Sequence, residues 1–389
     1  MASTRSKPKL LFFVTEDWYF CSHRLPLAVA AREAGFEVAV ATRVEAHGGI
    51  IEAAGIRLIP LTLSRGSRNP LADWRTFLAL FQILRTEHPE ILHNVALKPV
   101  LYGALLARLT RVRGVVNAIA GLGHLFASPK GLNPLRRGVL LALKALLRGH
   151  GRVIVQNPDD LALLESSGAL IEGQAALIRG AGVDLGQFHP SPEPPGPPIV
   201  LLAARLLWDK GVFEFVEAGR ALHGAGLSAR FVIVGAPDPE NPGAIPLDTL
   251  HQWTEDGIIE WWGHRQDMAA VLRQATLFCL PSYYGEGIPK VLLEAAASAR
   301  ALITTDMPGC REVVNPGQEG LLVPPRNAEA LAEAIRTLIE CPLERQHMAQ
   351  KARRRAEAEF GLEGVIRQTL AVYQDLLDDR HQSKGLGEQ

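Results

Sequence analysis

The chain has 389 residues, 41 Lys+Arg against 41 Asp+Glu, and 47% hydrophobic residues, which is enough apolar material for two cores of ordinary size. No apolar run approaches the roughly 18 residues of a membrane span, and the leading MASTRSKPKLLFFVTED has neither a long apolar stretch nor a small-residue cleavage site, so a cytoplasmic location is expected. Cys21, Cys279, Cys310 and Cys341 lie too far apart for a metal site or a disulfide framework and are expected as buried free thiols.

In chain order, β-rich apolar runs alternate with helical patterns. KLLFFV (9–14) is followed by a helix-like RLPLAVAAREAG (24–35), then EVAVAT (37–42), EILHNV (90–95), the helix-like YGALLARLTRV (102–112), GVVNAIA (114–120) and RVIVQN (152–157). Helices between parallel strands must cover both faces of the sheet, which keeps such strands continuously apolar. After the proline-rich HPSPEPPGPPI (189–199) the pattern restarts with PIVLLAARL (198–206), a helix over 212–226, ARFVIVG (229–235), GIIEWWG (257–263), ATLFCLPS (275–282), ALITTD (301–306) and GLLVPP (320–325). The reading is α/β: two Rossmann-like domains facing a cleft. The first is placed at residues 1–190 and the second at 191–360, with the last helical stretch (361–389) packing back onto the first. Residues 1–190 hold 22 Lys+Arg against 14 Asp+Glu, leaving 19 against 27 in the remainder, so a basic first half precedes an acidic second half.

A nicotinamide or flavin enzyme requires G-x-G-x-x-G directly after a strand; KLLFFV is followed by TEDWYFCSHR, with no glycine. The second half carries a different constellation. PSYYGEGIPKVLLEAAA (281–297) places Glu286 and Glu294 eight positions apart, across a loop that runs into a helix. Pro289 stands where a first helical turn tolerates it, Gly287 is expected to bring backbone close to a ligand, and a helix start beyond a parallel strand suits phosphate, expected at residues 287–290, including Ile288. Carboxylates accept hydrogen bonds from vicinal hydroxyls, so the pair can hold two sugars of one nucleotide-sugar. In AARLLWDKG (203–211), Arg205 and Lys210 leave a strand at the same rim, as partners for a diphosphate and for the charge that develops when it leaves. Taken alone, such residues are usually surface charges; their convergence at one sheet edge is what makes them a site.

With ARLLWDKG, EGIPKVLLEAAA, TTDMPGCREVV and GLLVPP in this order, the chain resembles the family 4 retaining glycosyltransferases of the GT-B fold. The first half is similar, through EDWYFCSHRLPLA, LHNVALKPVLYG and GLGHLF, to the branch that builds bacterial surface polysaccharides and lipid-linked oligosaccharides. The resemblance implies that Arg205 and Lys210 grip the diphosphate of a nucleotide-sugar, Glu294 binds ribose hydroxyls, and Glu286 holds hydroxyls of the transferred sugar near the anomeric carbon. It implies retention without a metal or other cofactor, the nucleotide-sugar being a substrate; same-face attack and double displacement both remain open. On the acceptor side it points to Asp17 orienting the acceptor hydroxyl, His124 meeting the donor sugar or its phosphate, and His23, Arg24, Lys98, Gly121 and Gly123 lining the acceptor. Two departures stand out: Ala299 and Ala301 replace a usual glycine and proline, and the first βα loop lacks a usual glycine pair.

NPLRRGVLLALKALLRGHGR (133–152) sets Arg136, Arg137, Lys144, Arg148 and Arg152 among leucines, a basic amphipathic pattern of the kind that lies in a bilayer interface. The expected function is transfer of a sugar, an N-acetylated hexosamine or a relative, from a uridine diphosphate donor to a polyprenyl-diphosphate-linked saccharide, by a peripheral enzyme at the inner face of the cell membrane. The alternatives are a GT-B enzyme with a soluble acceptor and a non-enzymatic sugar-binding protein. Nucleic acid is not an expected partner, because the basic residues are not interleaved with stacking aromatics.

Overall fold

The apolar runs form two separate parallel sheets in the computed structural model, which describes residues 7–62, 70–123 and 134–385. His124 lies outside the described residues. The chain divides into two units by contact: the first takes the described residues up to Leu122, those up to Ala181 and those from Val365, and the second takes Gly123 and Gly182–Gly364.

The first sheet has seven parallel strands in the order β3-β2-β1-β4-β5-β6-β7, from β1 (Lys9–Glu16), β2 (Glu37–Arg43), β3 (Arg57–Pro60), β4 (Ile91–Val95) and β5 (Gly114–Ile119) to β6 (Arg152–Val155) and β7 (Ala175–Leu177). Leu10 to Val14 of β1 are all buried, because helices cover both faces. One face packs Phe12, Val38 and Ile91 with Phe20, Leu27 and the C-terminal helix. The other packs Leu11, Ala39 and Leu92 with α4 (Pro70–Glu87) and α5 (Leu97–Thr110). The strands β3 and β7 are short and half-buried, and their sequences carried no clear alternation. No loop follows β1: the chain passes directly into α1 (Asp17–His23) and then α2 (Leu25–Glu33), so the missing glycine pair has no turn to serve. The series continues with α3 (Gly48–Ala53), α6 (Pro134–Leu147) and α7 (Pro158–Ser166).

The second sheet has six parallel strands in the order β10-β9-β8-β11-β12-β13, namely β8 (Ile199–Ala203), β9 (Arg230–Val234), β10 (Glu260–Trp261), β11 (Leu277–Leu280), β12 (Ala301–Thr305) and β13 (Gly320–Val323). Its helices are α8 (Val212–Gly224), α9 (Leu247–Glu255), α10 (Met268–Gln274), α11 (Lys290–Ala297), α12 (Ala328–Glu340) and α13 (Pro342–Arg355). The boundary expected at 190 falls earlier. Val183 and Phe188 already pack in the second core, and the Val183 N–H donates to the Phe360 carbonyl at 2.9 Å.

The last helix, α14 (Leu362–Gly385), leaves the second unit at Gly364. Its Val365, Val372, Tyr373 and Leu376 complete the first unit's core, as the sequence led us to expect. There the Tyr373 hydroxyl lies 2.5 Å from His93 Nδ1, and burial followed by the nearby Arg24 charge pushes the His93 pKa well down.

Two of the four thiols are buried as expected and two are not. Cys279 and Cys310 are buried, Cys21 is half-buried and Cys341 is exposed, the last because it follows α12 at the unit's surface. Ala299 sits at φ 52, the left-handed region where a Cβ costs about 1–2 kcal/mol. Ala299→Gly is therefore expected to stabilise the protein by about 0.5–1 kcal/mol, net of the added freedom of the unfolded chain. Urea denaturation checks this, and an unmoved or lowered midpoint would show that Ala299 is not strained.

Candidate active site

In the second unit the strand order reverses between β8 and β11, which is where an open parallel sheet leaves a crevice beyond its carboxyl ends. The chain after β8 contributes Arg205 and the 3-10 turn Trp208–Lys210; the chain after β11 contributes residues 281–289. Gly211 lets these segments meet. At φ +74, a Cβ there would lie 2.1 Å from the Pro281 carbonyl oxygen. Beyond it the Tyr283 N–H donates to the Asp209 carbonyl at 2.9 Å.

This contact delivers Lys210 to Glu286. The Lys210 ammonium is buried and donates to Glu286 Oε2 at 2.7 Å. The Ser282 hydroxyl donates to the other oxygen, Oε1, at 3.0 Å, and Lys210 Nζ stands 5.3 Å over the Tyr284 ring. Ser282 is itself wholly buried and accepts, through its carbonyl, a hydrogen bond from the Thr305 hydroxyl. A carboxylate held on both oxygens, beside a cation, has a fixed direction. Cys310 lies near this pair, but burial first and the Glu286 charge second push its thiol up to about 12, so it is no nucleophile.

Arg205 stands at the same edge, with Nη1 2.9 Å from Asp238 Oδ2 on the chain after β9. Helix α11 begins at Lys290, one residue later than Pro289, and has no side-chain cap at its start. Its first turn therefore offers N–H groups and partial positive charge toward this edge. Glu294 lies inside the helix, 5% exposed, with Lys290 Nζ 3.3 Å from Oε1. Burial raises its pKa, and Lys290 only partly opposes the shift.

The loop's backbone is closely approached by Gly309, at φ +84, where a Cβ would lie 1.6 Å from the Gly287 carbonyl oxygen. Ile288 packs its side chain into the second core.

The acceptor-side residues are placed less openly. Asp17 is fully buried and accepts N–H groups from Trp18 at 2.7 Å, Glu45 at 2.7 Å and His47 at 2.8 Å. It fixes the chain after β2 rather than presenting a carboxylate to an acceptor, because an acid at a helix start satisfies nearby N–H groups. Arg24 is also buried, in the first core near His93 and Tyr373, and not on an open rim. His23 stacks on Tyr19 at 4.2 Å. Lys98 lies in the first turn of α5 and is paired with Asp73 at 2.7 Å. Gly121 and Gly123 take positive φ, 96 and 76, as a tight turn requires, but Gly123 groups with the second unit. Among the described residues no cluster of three or more His, Cys, Asp or Glu side chains is arranged to hold a metal.

Ser282, Tyr284 and Asp238 were not singled out in the sequence. Ser282 and Tyr284 were within the quoted loop, but no spacing rule assigns a serine to a carboxylate four residues on.

Residues 9–157 match the family model described as "Glycosyl transferase 4-like", and residues 197–341 match "Glycosyl transferases group 1". Among curated proteins, the N,N'-diacetylbacillosaminyl-diphospho-undecaprenol alpha-1,3-N-acetylgalactosaminyltransferase of Campylobacter jejuni is 29% identical over 343 residues, covering 85% of this chain and 89% of its own. Among solved structures, the sucrose-phosphate synthase of Thermosynechococcus elongatus has a TM-score of 0.79 at 22% identity, covering 96% of this chain and 100% of that one. Anabaena Alr3699/HepE, solved with UDP and glucose, has a TM-score of 0.76 at 18% identity, covering 94% and 99%.

Proposed function

Since the chain belongs to the GT-B glycosyltransferases, with a glycosyl transferase 4-like first part and a group 1 second part, we propose that it moves an N-acetylated hexosamine or related sugar from a uridine diphosphate donor to a polyprenyl-diphosphate-linked saccharide, with retention and without a metal. The observation that carries the donor half is the Lys210–Glu286 contact at 2.7 Å, beside the reversal between β8 and β11. A cation fit for a diphosphate and a carboxylate fit for sugar hydroxyls are held side by side, as the two halves of a nucleotide-sugar demand.

In this reading the diphosphate lies between Arg205, Lys210 and the start of α11, and Glu294 accepts the ribose hydroxyls. The acceptor hydroxyl bonds to the anomeric carbon, the bond from that carbon to the diphosphate oxygen breaks, and the leaving diphosphate carries away the electron pair. Its new charge falls on the cations already in place. On the same-face route the acceptor proton passes to a leaving phosphate oxygen. The ion pair and the Ser282 hydrogen bond lower the electron density that Glu286 can offer as a nucleophile, which favours that route over double displacement. The acceptor half rests on the Campylobacter relative, whose name describes transfer to a diphospho-undecaprenol saccharide. Such an acceptor places the reaction at a membrane surface, here the cytoplasmic one.

A panel of nucleoside diphosphates tests the donor assignment. UDP is expected to raise the melting temperature without added metal, and Arg205→Ala to abolish most of the shift, since a lost charge-assisted contact costs about 1.5–3 kcal/mol. A full shift in the variant would remove Arg205 from the diphosphate site. Transfer from the matching sugar donor to a short polyprenyl-diphosphate saccharide, compared with the free saccharide, decides the acceptor. Equal or better transfer to the free sugar would overturn the lipid-linked reading.

A further inference from the structure

On one face of the first sheet, α4, α5 and α6 lie side by side. Phe77 of α4 meets Tyr102 of α5 edge to face at 6.2 Å, and Arg108 of α5 donates to the Leu146 carbonyl of α6 at 3.1 Å. Each helix buries one side: Leu80 and Leu84 of α4, Leu106 and Ala107 of α5, Leu143 and Leu147 of α6. The opposite ridges should then be polar. They are not: Trp74 (57% exposed) and Leu78 recur at i, i+4 on α4, Leu105 and Leu109 (60%) do so on α5, and Leu141 (65%) stands on α6.

The charge around these side chains has one sign. Arg75 and Arg85 on α4, Arg108 on α5, and Arg137 and Lys144 on α6 are exposed, while α5 and α6 contain no acidic residue. The two acids on α4 are spent, Asp73 on Lys98 and Glu87 on Arg57.

We propose that this three-helix face is a docking surface for an anionic lipid bilayer, with Trp74, Leu109 and Leu141 entering the interface and the surrounding Arg and Lys side chains meeting the head groups. Deepening the membrane-surface reading above, it rests on that reading for its purpose but not for its evidence. Aliphatic and indole side chains standing out of a basic surface match an interface whose interior is apolar and whose rim is negative. A second copy of the chain fits poorly: a two-fold contact would set this basic ridge against itself. The basic stretch at 133–152 takes part differently from its sequence pattern. With Leu143 and Leu147 committed to the core, α6 cannot lie in the bilayer by its whole leucine face and offers Leu141, with Leu135 exposed in its first turn.

Flotation of the full chain with vesicles of phosphatidylcholine alone, or with about a third phosphatidylglycerol, tests this. Binding to the anionic vesicles is expected, weakening as salt rises, with a blue shift of tryptophan emission that Trp74→Phe reduces. The combined variant Trp74→Ser, Leu109→Ser, Leu141→Ser is expected to lose binding by at least about tenfold, with unchanged melting and unchanged transfer in detergent. Arg137→Glu with Lys144→Glu should lose the preference for anionic lipid. Absence of flotation, equal binding to neutral vesicles, or a dimer in sedimentation that the triple variant dissolves would each overturn the proposal. A chain that floats but does not use a lipid-linked acceptor overturns the acceptor assignment alone. One that uses it in detergent but does not float overturns this face alone.

Discussion

Glu286→Gln is expected to lower turnover by about a hundredfold to a thousandfold while leaving affinity for the nucleoside diphosphate unchanged or higher. The asymmetry follows from the ion pair. Lys210 gives a hydrogen bond at 2.7 Å to Glu286, and a bound diphosphate must share that ammonium. Gln keeps an acceptor oxygen for Lys210 but withdraws the negative charge, so the cation is more available to phosphate. What it loses is the strong acceptor for the sugar's hydroxyls, held in direction by Ser282. Lys210→Ala should behave in the opposite way, weakening diphosphate binding and also destabilising the fold, since it leaves the largely buried Glu286 without its cation. Single-turnover kinetics with separate titration of UDP distinguishes the two patterns. Unchanged turnover in Glu286→Gln would remove Glu286 from the site, and loss of UDP affinity in that variant would show that it binds the nucleotide rather than the sugar.

Glu294→Gln is expected to cost about 1.5–3 kcal/mol of nucleotide binding, about tenfold to a hundredfold in Kd, while making the unliganded protein more stable at neutral pH. Glu294 is almost wholly buried, and burial raises its pKa in the folded state above the ordinary carboxyl value. A raised folded value means that folding favours the protonated form. That contribution is complete below the unfolded value, near 4.5, and is lost as pH climbs through the folded one. Gln carries no such loss, so the variant's advantage should be present at pH 7 and vanish in acid. Denaturation across that range, with and without UDP, reads both effects. A variant less stable than the parent at pH 7 would show that the Lys290 contact outweighs burial. Unchanged UDP affinity would show that the ribose is held elsewhere.

The two sheets were legible because parallel strands buried on both faces appear as continuous apolar runs, and the proline-rich stretch marked the restart. The boundary between units was less so. Val183 and Phe188 were placed in the first domain, yet each finds a place in the second core. Arg205, Lys210 and Glu286 could be assigned to one edge because each follows a strand end within seven residues, and Glu294 because it lies in the helix that starts just beyond. Ser282 and Asp238 could not, since their value lies in which side chain they reach. Asp17 shows the reverse. An acid just beyond a strand reads the same whether it faces a substrate or, as here, gathers N–H groups at 2.7 to 2.8 Å. Gly309 was not singled out at all, since its need to be glycine comes from a segment distant in sequence, the Gly287 carbonyl 1.6 Å from where its Cβ would stand.

The return of Tyr373 and its neighbours to the first core has a consequence for biosynthesis. A nascent chain that has emerged as far as Ala181 holds all seven strands of its first sheet, yet Phe12, Val38 and Ile91 still lack the residues that seal them. Those residues are translated only after the entire second unit, so the N-terminal half cannot finish folding in the order in which it is made. It passes through synthesis with an open apolar trough, the kind of surface on which ribosome-associated chaperones act.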